Sequence, residues 1–325
     1  MSSGDCSRLV LILGAPRSGT SWLGKIFDSH PSVIYRHEPD SVIRPTDFPT
    51  ICSVEDIPYH LEAVQRYVAR LIDVRQVKAS GTRPVFAKPY QPFGAPLLRR
   101  ALALGLRASE SVAPRAAWPR RIPIPDFVSA DDPPLTYVIK SVNLLGAAAL
   151  VARALPESRI VAVFRHPCGQ IASVKREPSS PLLTGTGLAA PVAGPRAREF
   201  GITREKYLRL AEFDRHAWAW SLLHDKLFRE AADIPNVCLL RYEDLCRNPI
   251  EQARALMEFA RLPWADETRR FIELSTRSAV RERYFSVFRN PMEAATKWKR
   301  ELAPAEIDRC MEIVETVLPG RFSAD

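Results

Sequence analysis

Gly14-Ala15-Pro16-Arg17-Ser18-Gly19-Thr20-Ser21-Trp22 is the stretch on which the fold turns. Before it runs Leu9–Leu13, a short unbroken apolar segment of the kind a parallel strand needs when both its faces are covered. Gly14-Ala15-Pro16 breaks that strand. After it, Trp22, Leu23, Ile26 and Phe27 recur at helical spacing, and His30-Pro31 ends the helix. A strand, a tight loop and a helix in this order make an anion site. Backbone N–H groups converge there, and the helix N-terminus adds partial positive charge. Gly19 lets the chain approach a ligand closely, and Thr20 and Ser21 add hydroxyl donors.

The spacing nearly meets the nucleotide loop pattern G-x-x-x-x-G-K-[ST]. The departure is informative. Thr20 stands at the Lys position, and Arg17 supplies the charge from inside the loop. A guanidinium is a planar fork suited to an oxyanion. No apolar strand ends in an Asp fit to hold magnesium as NTP-hydrolysing sites do. The loop therefore reads as a cradle for a phosphate-like group without two parts of nucleoside-triphosphate chemistry. The competing reading is a tight turn with a surface arginine.

Outward from the loop, strands and helices alternate. Strands are predicted at Val33–Tyr35, Thr136–Lys140, Arg159–Phe164 and Val237–Leu240. Helices are predicted at Glu55–Val77, Leu144–Ala154, from Cys168 to Lys175, Arg204–Ala231, from Asn248-Pro249 to Arg261, and from Ala303-Pro304 onward. This alternation gives an α/β fold, a three-layer arrangement with a central parallel sheet flanked by helices. Residues 80–134 are rich in Pro, Arg and Ala and read as an insertion with a short helix near Leu97–Leu106. Residues 178–200 are rich in Pro and Gly and read as a lid or loop. One domain over residues 1–325 accommodates all of this.

The bulk numbers are those of a globular chain: 325 residues, 46% hydrophobic and 26% charged, which excludes global disorder. A net charge of +9 fits an anionic ligand, an acidic membrane, nucleic acid or simple solubility. No nucleic-acid-binding motif accompanies the charge, so no nucleic-acid partner is expected. The six cysteines form no CxxC pair and no Cys/His run at zinc spacing, so reduced thiols and no metal are expected. No secretory leader or membrane span is visible, and the expected location is cytoplasmic.

The Pro16-Arg17-Ser18-Gly19-Thr20-Ser21-Trp22 run resembles the 5′-phosphosulfate motif of sulfotransferases that use 3′-phosphoadenosine 5′-phosphosulfate (PAPS). The likeness is to the branch with carbohydrate, protein-tyrosine and bacterial enzymes. It implies a P-loop-like fold and the transfer of a sulfuryl group to a hydroxyl of a carbohydrate, lipid or small natural product. It also implies a 3′-phosphate motif, an Arg ending a strand with a Ser eight positions on. Arg165 and Ser173 fit, although His166 stands where many relatives are acidic.

Arg241-Tyr242-Glu243-Asp244-Leu245 is similar to a further family segment, with Tyr242 either near the nucleotide or packed at a strand end. Trp298-Lys299-Arg300 resembles the C-terminal region that covers the nucleotide, which nominates Lys299 and Arg300. The RKGxxG motif of cytosolic aryl enzymes is absent. Glu38 matches the branch's general base, His37 is its rival, and the plain alternative pairs Glu38 with Arg36. Lys140, at the end of a strand, and Arg17 are candidates to neutralise the leaving oxygen. A P-loop kinase and a non-catalytic nucleotide- or PAP-binding module remain the alternatives. The arginines of the insertion, interleaved with Leu97, Leu98, Leu104 and Trp118, read as a peripheral membrane contact, an acidic-carbohydrate site or a solvated basic excursion.

Overall fold

A computed structural model describes residues 8–112, 118, 121–129, 131–132, 134–176, 194–277 and 290–322. Five strands form one parallel sheet: β1 (Leu9–Gly14), β2 (Val33–His37), β3 (Thr136–Ser141), β4 (Arg159–Phe164) and β5 (Val237–Arg241). Their order is β2-β3-β1-β4-β5. The run Leu9–Leu13 is apolar throughout because both sides of β1 are covered. Leu9, Leu11 and Leu13 enter the core with Val68, Leu71, Leu150 and Leu227. Val10 and Ile12 enter the opposite core with Leu23, Ile26, Phe27 and Leu256. Side chains alternate across a strand, so one uninterrupted hydrophobic run serves two layers of helices.

The sheet order creates the functional edge. The chain leaves β1 toward β2 on one side, whereas it leaves β4 toward β5 on the other. Adjacent strands whose connections diverge open a crevice at their C-terminal ends. The register sets those ends level, with Gly14 beside Val163, Leu13 beside Ser141, and Lys140 between Ile12 and His37.

Several predicted elements change shape. The helix expected over Arg204–Ala231 is two helices, Arg204–Arg209 and Glu212–Glu230. Leu210 is extended between them, and Glu212 and Asp214 give the second helix an acidic first turn suited to its dipole. The short helix expected near Leu97–Leu106 runs instead from Ala95 to Val112. Helix Asp266–Arg277 has no counterpart in the sequence reading, because its inward face is sparse and only Thr268, Phe271, Ile272 and Ser275 are buried. Most of the expected lid, together with Pro114, Arg115, Pro119 and Arg120 of the insertion, lies outside the described residues.

Candidate active site

The loop after β1 is closed over itself. Ser18 N–H donates to the Ala15 carbonyl at 3.2 Å. Arg17 takes a positive φ of 72°, a left-handed conformation costly for a residue with a Cβ. Gly19 has φ +96°, and a Cβ there would lie 2.2 Å from the Tyr242 ring, so glycine is required twice over. Helix Thr20–Asp28 begins with no side chain capping its first N–H groups. Ser18 is fully buried, and its Oγ has no hydrogen-bond partner among the described residues. A buried hydroxyl without a partner beside uncapped helix N–H groups is the signature of a cradle for an oxyanion.

The second cationic element joins this loop directly. Arg165 follows β4 and donates from Nη1 to the Arg17 carbonyl at 3.2 Å and from Nη2 to the Ala294 carbonyl at 2.6 Å. Arg17 in turn donates from Nε to the Ser173 hydroxyl at 3.0 Å, across 156 residues of chain. Tyr242 is buried between the two parts. Its ring closes on Gly19, and the Arg165 guanidinium carbon sits 4.8 Å from its centroid. Loop, Arg165, Ser173 and Tyr242 are therefore one assembly.

The carboxylate and the lysine meet at the same edge. Glu38 Oε1 is ion-paired with Lys140 Nζ, and the Glu38 N–H donates to the Lys140 carbonyl at 2.8 Å. Lys140 is almost wholly buried, whereas the Glu38 side chain keeps 19% of its surface exposed. Burial alone would raise the Glu38 carboxyl. The charge of Lys140 and the hydrogen bond from Lys140 outweigh it and hold the group below its ordinary value. Lys140 itself is pulled down, by burial first, with Glu38 opposing and the charge of Arg17 adding. That last influence reflects how near the loop arginine comes to the Glu38–Lys140 pair. His37 is pushed down to about 3 by burial and by Lys140, so it is neutral at working pH. Its Nδ1 lies 2.9 Å from the Tyr35 hydroxyl. Arg36 does not pair with Glu38. It is fully buried and forks onto Asp126, Nη1 to Oδ1 at 3.0 Å and Nη2 to Oδ2 at 2.5 Å.

Other expected residues have different surroundings. Trp22 points into the core, with its indole N–H donated to Ser275 Oγ at 3.1 Å, and so belongs to the helix packing rather than to the loop's open face. Thr20 is buried, Pro16 partly exposed and Ser21 exposed. Trp298 reaches the site's wall, stacked on His166 with centroids 4.5 Å apart. Lys299 and Arg300 are exposed; Lys299 lies beside the Trp298 ring and Arg300 pairs with Glu293 at 3.5 Å.

The sequence reading missed the supports. Asp40 accepts from Ser141 Oγ at 2.6 Å and from Asn143 Nδ2 at 2.7 Å, bracing the turn that follows Glu38. Glu243 accepts the His166 N–H at 3.0 Å and ties β5 to the Arg165 turn. The Ala294 carbonyl holds Arg165. Asp40, two positions after Glu38, and Glu243, next to Tyr242, stood beside nominated groups, but no pattern in the chain marked them or Ala294 as supports.

The family model described as "Sulfotransferase family" matches residues 10–266. Mouse carbohydrate sulfotransferase 5 is 25% identical over 334 aligned residues, covering 94% of this chain and 78% of that protein. Among solved structures, sulfotransferase STF9 from Mycobacterium avium matches with TM-score 0.44 and 14% identity over 96% of this chain and 77% of its own. Mouse sulfotransferase SULT7A1, complexed with PAP, matches with TM-score 0.41 and 12% identity over 97% of this chain and 86% of its own. With the family model spanning most of its length, the chain belongs to the sulfotransferase family.

Proposed function

We propose that this chain is a PAPS-dependent O-sulfotransferase with Glu38 as general base. The observation that carries the reading is the Arg17–Ser173 hydrogen bond together with the Arg165–Arg17 contact. They fuse two separate anion-binding elements into one site, as a donor with a 5′-phosphosulfate and a 3′-phosphate requires.

The residues present fit such a donor. The buried Ser18 hydroxyl without a partner, the uncapped N–H groups of Thr20 and Ser21 and the glycine-only approach at Gly19 suit the 5′ side. Arg165 and Ser173 would hold the 3′-phosphate. Bound there, PAPS supplies the sulfuryl group for in-line transfer. Glu38 is kept ionised by Lys140 and partly open to water, so it can accept the proton of an acceptor hydroxyl. Lys140 and Arg17 place positive charge on the donor side, where negative charge develops. The name of the mouse relative puts a carbohydrate among the acceptor classes, beside a lipid or a small natural product.

Thermal shift with PAP, 5′-AMP and ATP–Mg²⁺ tests the reading. PAP at about 100 times its Kd should add ~2.7 kcal/mol of stability, and 5′-AMP far less at the same concentration. Stabilisation by ATP–Mg²⁺ alone would make the chain a kinase-like enzyme. Stabilisation by PAP without any transfer to a broad hydroxyl panel would make it a binding module.

A further inference from the structure

Helix Ala95–Val112 is apolar on two sides. Its inner side buries Ala95, Ala103 and Leu106, the last two in one cluster with Val77 and Ile124. Its outer side carries Leu97, Ala101, Leu104, Ala108 and Val112, spaced by three or four residues and all exposed. That spacing lines them into one stripe along the helix. Phe93, just before the helix, is fully exposed, and Leu97 is 72% exposed. More than half of the large apolar side chains exposed among the described residues fall between Phe93 and Val128. Scattered exposed leucines need no explanation, but a concentrated stripe does.

The charge around the stripe is one-sided. Between Arg83 and Arg121 the chain has eight Lys or Arg and a single acidic residue, Glu110. This segment therefore carries most of the net +9. Arg100 lies one turn from both Leu97 and Leu104, at the stripe's margin, and Arg83, Arg100 and Arg121 are all exposed. Two further arginines fasten the helix to the body. Arg99 Nη2 donates to the Ser80 carbonyl at 3.3 Å, and Arg107 Nη2 to the Gly81 carbonyl at 3.0 Å. The helix is held in place with its apolar stripe outward.

We infer that the Phe93–Val112 face docks on an anionic lipid surface, with the apolar stripe entering the headgroup boundary and Arg83, Arg100 and Arg121 meeting lipid phosphates. A protein partner would have to match both an apolar stripe and a surrounding chain segment, Arg83 to Arg121, that holds a single carboxylate. A leaflet rich in acidic headgroups supplies both at once. The inference does not depend on the reaction proposed above, because none of its residues is assigned a part in that reaction.

Flotation of the full chain with vesicles tests it. One set is phosphatidylcholine; the other contains about a third phosphatidylserine. Binding is expected to the second set, weakened by salt and much weaker on the first. Leu97→Glu with Leu104→Glu should reduce that binding at least about tenfold, and Arg100→Glu with Arg121→Glu should remove the preference for phosphatidylserine. All four positions are exposed or marginal, and an unchanged melting curve confirms that the fold survives. Equal binding to both vesicles, no binding, or no effect of the leucine variants overturns the proposal. So does concentration-dependent dimerisation that the leucine variants abolish without any vesicle binding, which would give the face to a second copy.

Discussion

Arg36 and Glu38 are two residues apart at the end of β2, and each belongs to a charged pair, yet the pairs have opposite characters. Arg36–Asp126 is closed. Its fork is bidentate, both side chains are at most 5% exposed, and Arg36 Nε also donates to the Ile72 carbonyl at 2.8 Å. Arg75 at 3.4 Å and Arg99 at 3.9 Å surround the same carboxylate. That pair clamps the 121–129 segment to the sheet edge. Glu38–Lys140 is open. One carboxylate oxygen is engaged, the backbone turns left-handed at φ 46°, and the side chain reaches water. A saturated buried pair is structural, whereas a carboxylate that keeps free acceptor sites and solvent contact is one that can exchange a proton.

The contrast is most exposed to test at the closed pair. Asp126→Ala leaves the Arg36 guanidinium buried without its fork and should cost about 3–5 kcal/mol in chemical denaturation. The double change Arg36→Met with Asp126→Leu should recover most of that loss. If the single and double variants were equally unstable, the pair would not be a clamp. At the open pair the effect moves from stability to rate. Glu38→Gln should lower turnover by about 10²–10⁴ while PAP still shifts the melting temperature as in the wild type. Full activity in that variant would remove Glu38 as the base.

Smaller effects separate the neighbours. A Glu38 base is needed as the carboxylate, so on the proposed mechanism activity should persist through neutral pH and fall only as pH drops through its lowered pKa. Lys140→Met removes the charge that lowers it. The acid limb of the pH–rate profile should then move upward, and a limb that stays in place would mean that Lys140 does not set the carboxylate. His37→Asn should cause the least change, well below the ~10²-fold typical of a lost base. The wild-type profile should show no inflection in the ordinary histidine range, because His37 is held down at about 3.

The strand, loop and helix of the Gly14–Trp22 region were legible because they are written in contiguous chain. A five-residue apolar run, a broken loop and a helical period follow one another from Leu9 to Phe27, and each is set by residues close together in the chain. Arg165 with Ser173 was legible for the same reason, as a strand end and the helix after it. Trp22 shows the limit. Its place in the loop is sequential, but the helix turns its indole into the core toward Ser275, 253 positions away. The split at Leu210 was hidden because apolar spacing continues across it.

By itself, the sequence determined a parallel α/β sheet and a strand–loop–helix turn carrying an arginine instead of a lysine, since backbone geometry and helix polarity act over a few residues. Only the tertiary structure decided which charge meets which. Lys140 reaches Glu38 across 102 residues, and Asp126 reaches Arg36 across 90. Those choices follow from β3 inserting between β2 and β1 and from the 121–129 segment folding against the β2 edge. Long crossovers in a parallel sheet separate partners in the chain, and nothing local in Arg36-His37-Glu38 says which of its charges will be sealed and which will stay open to solvent.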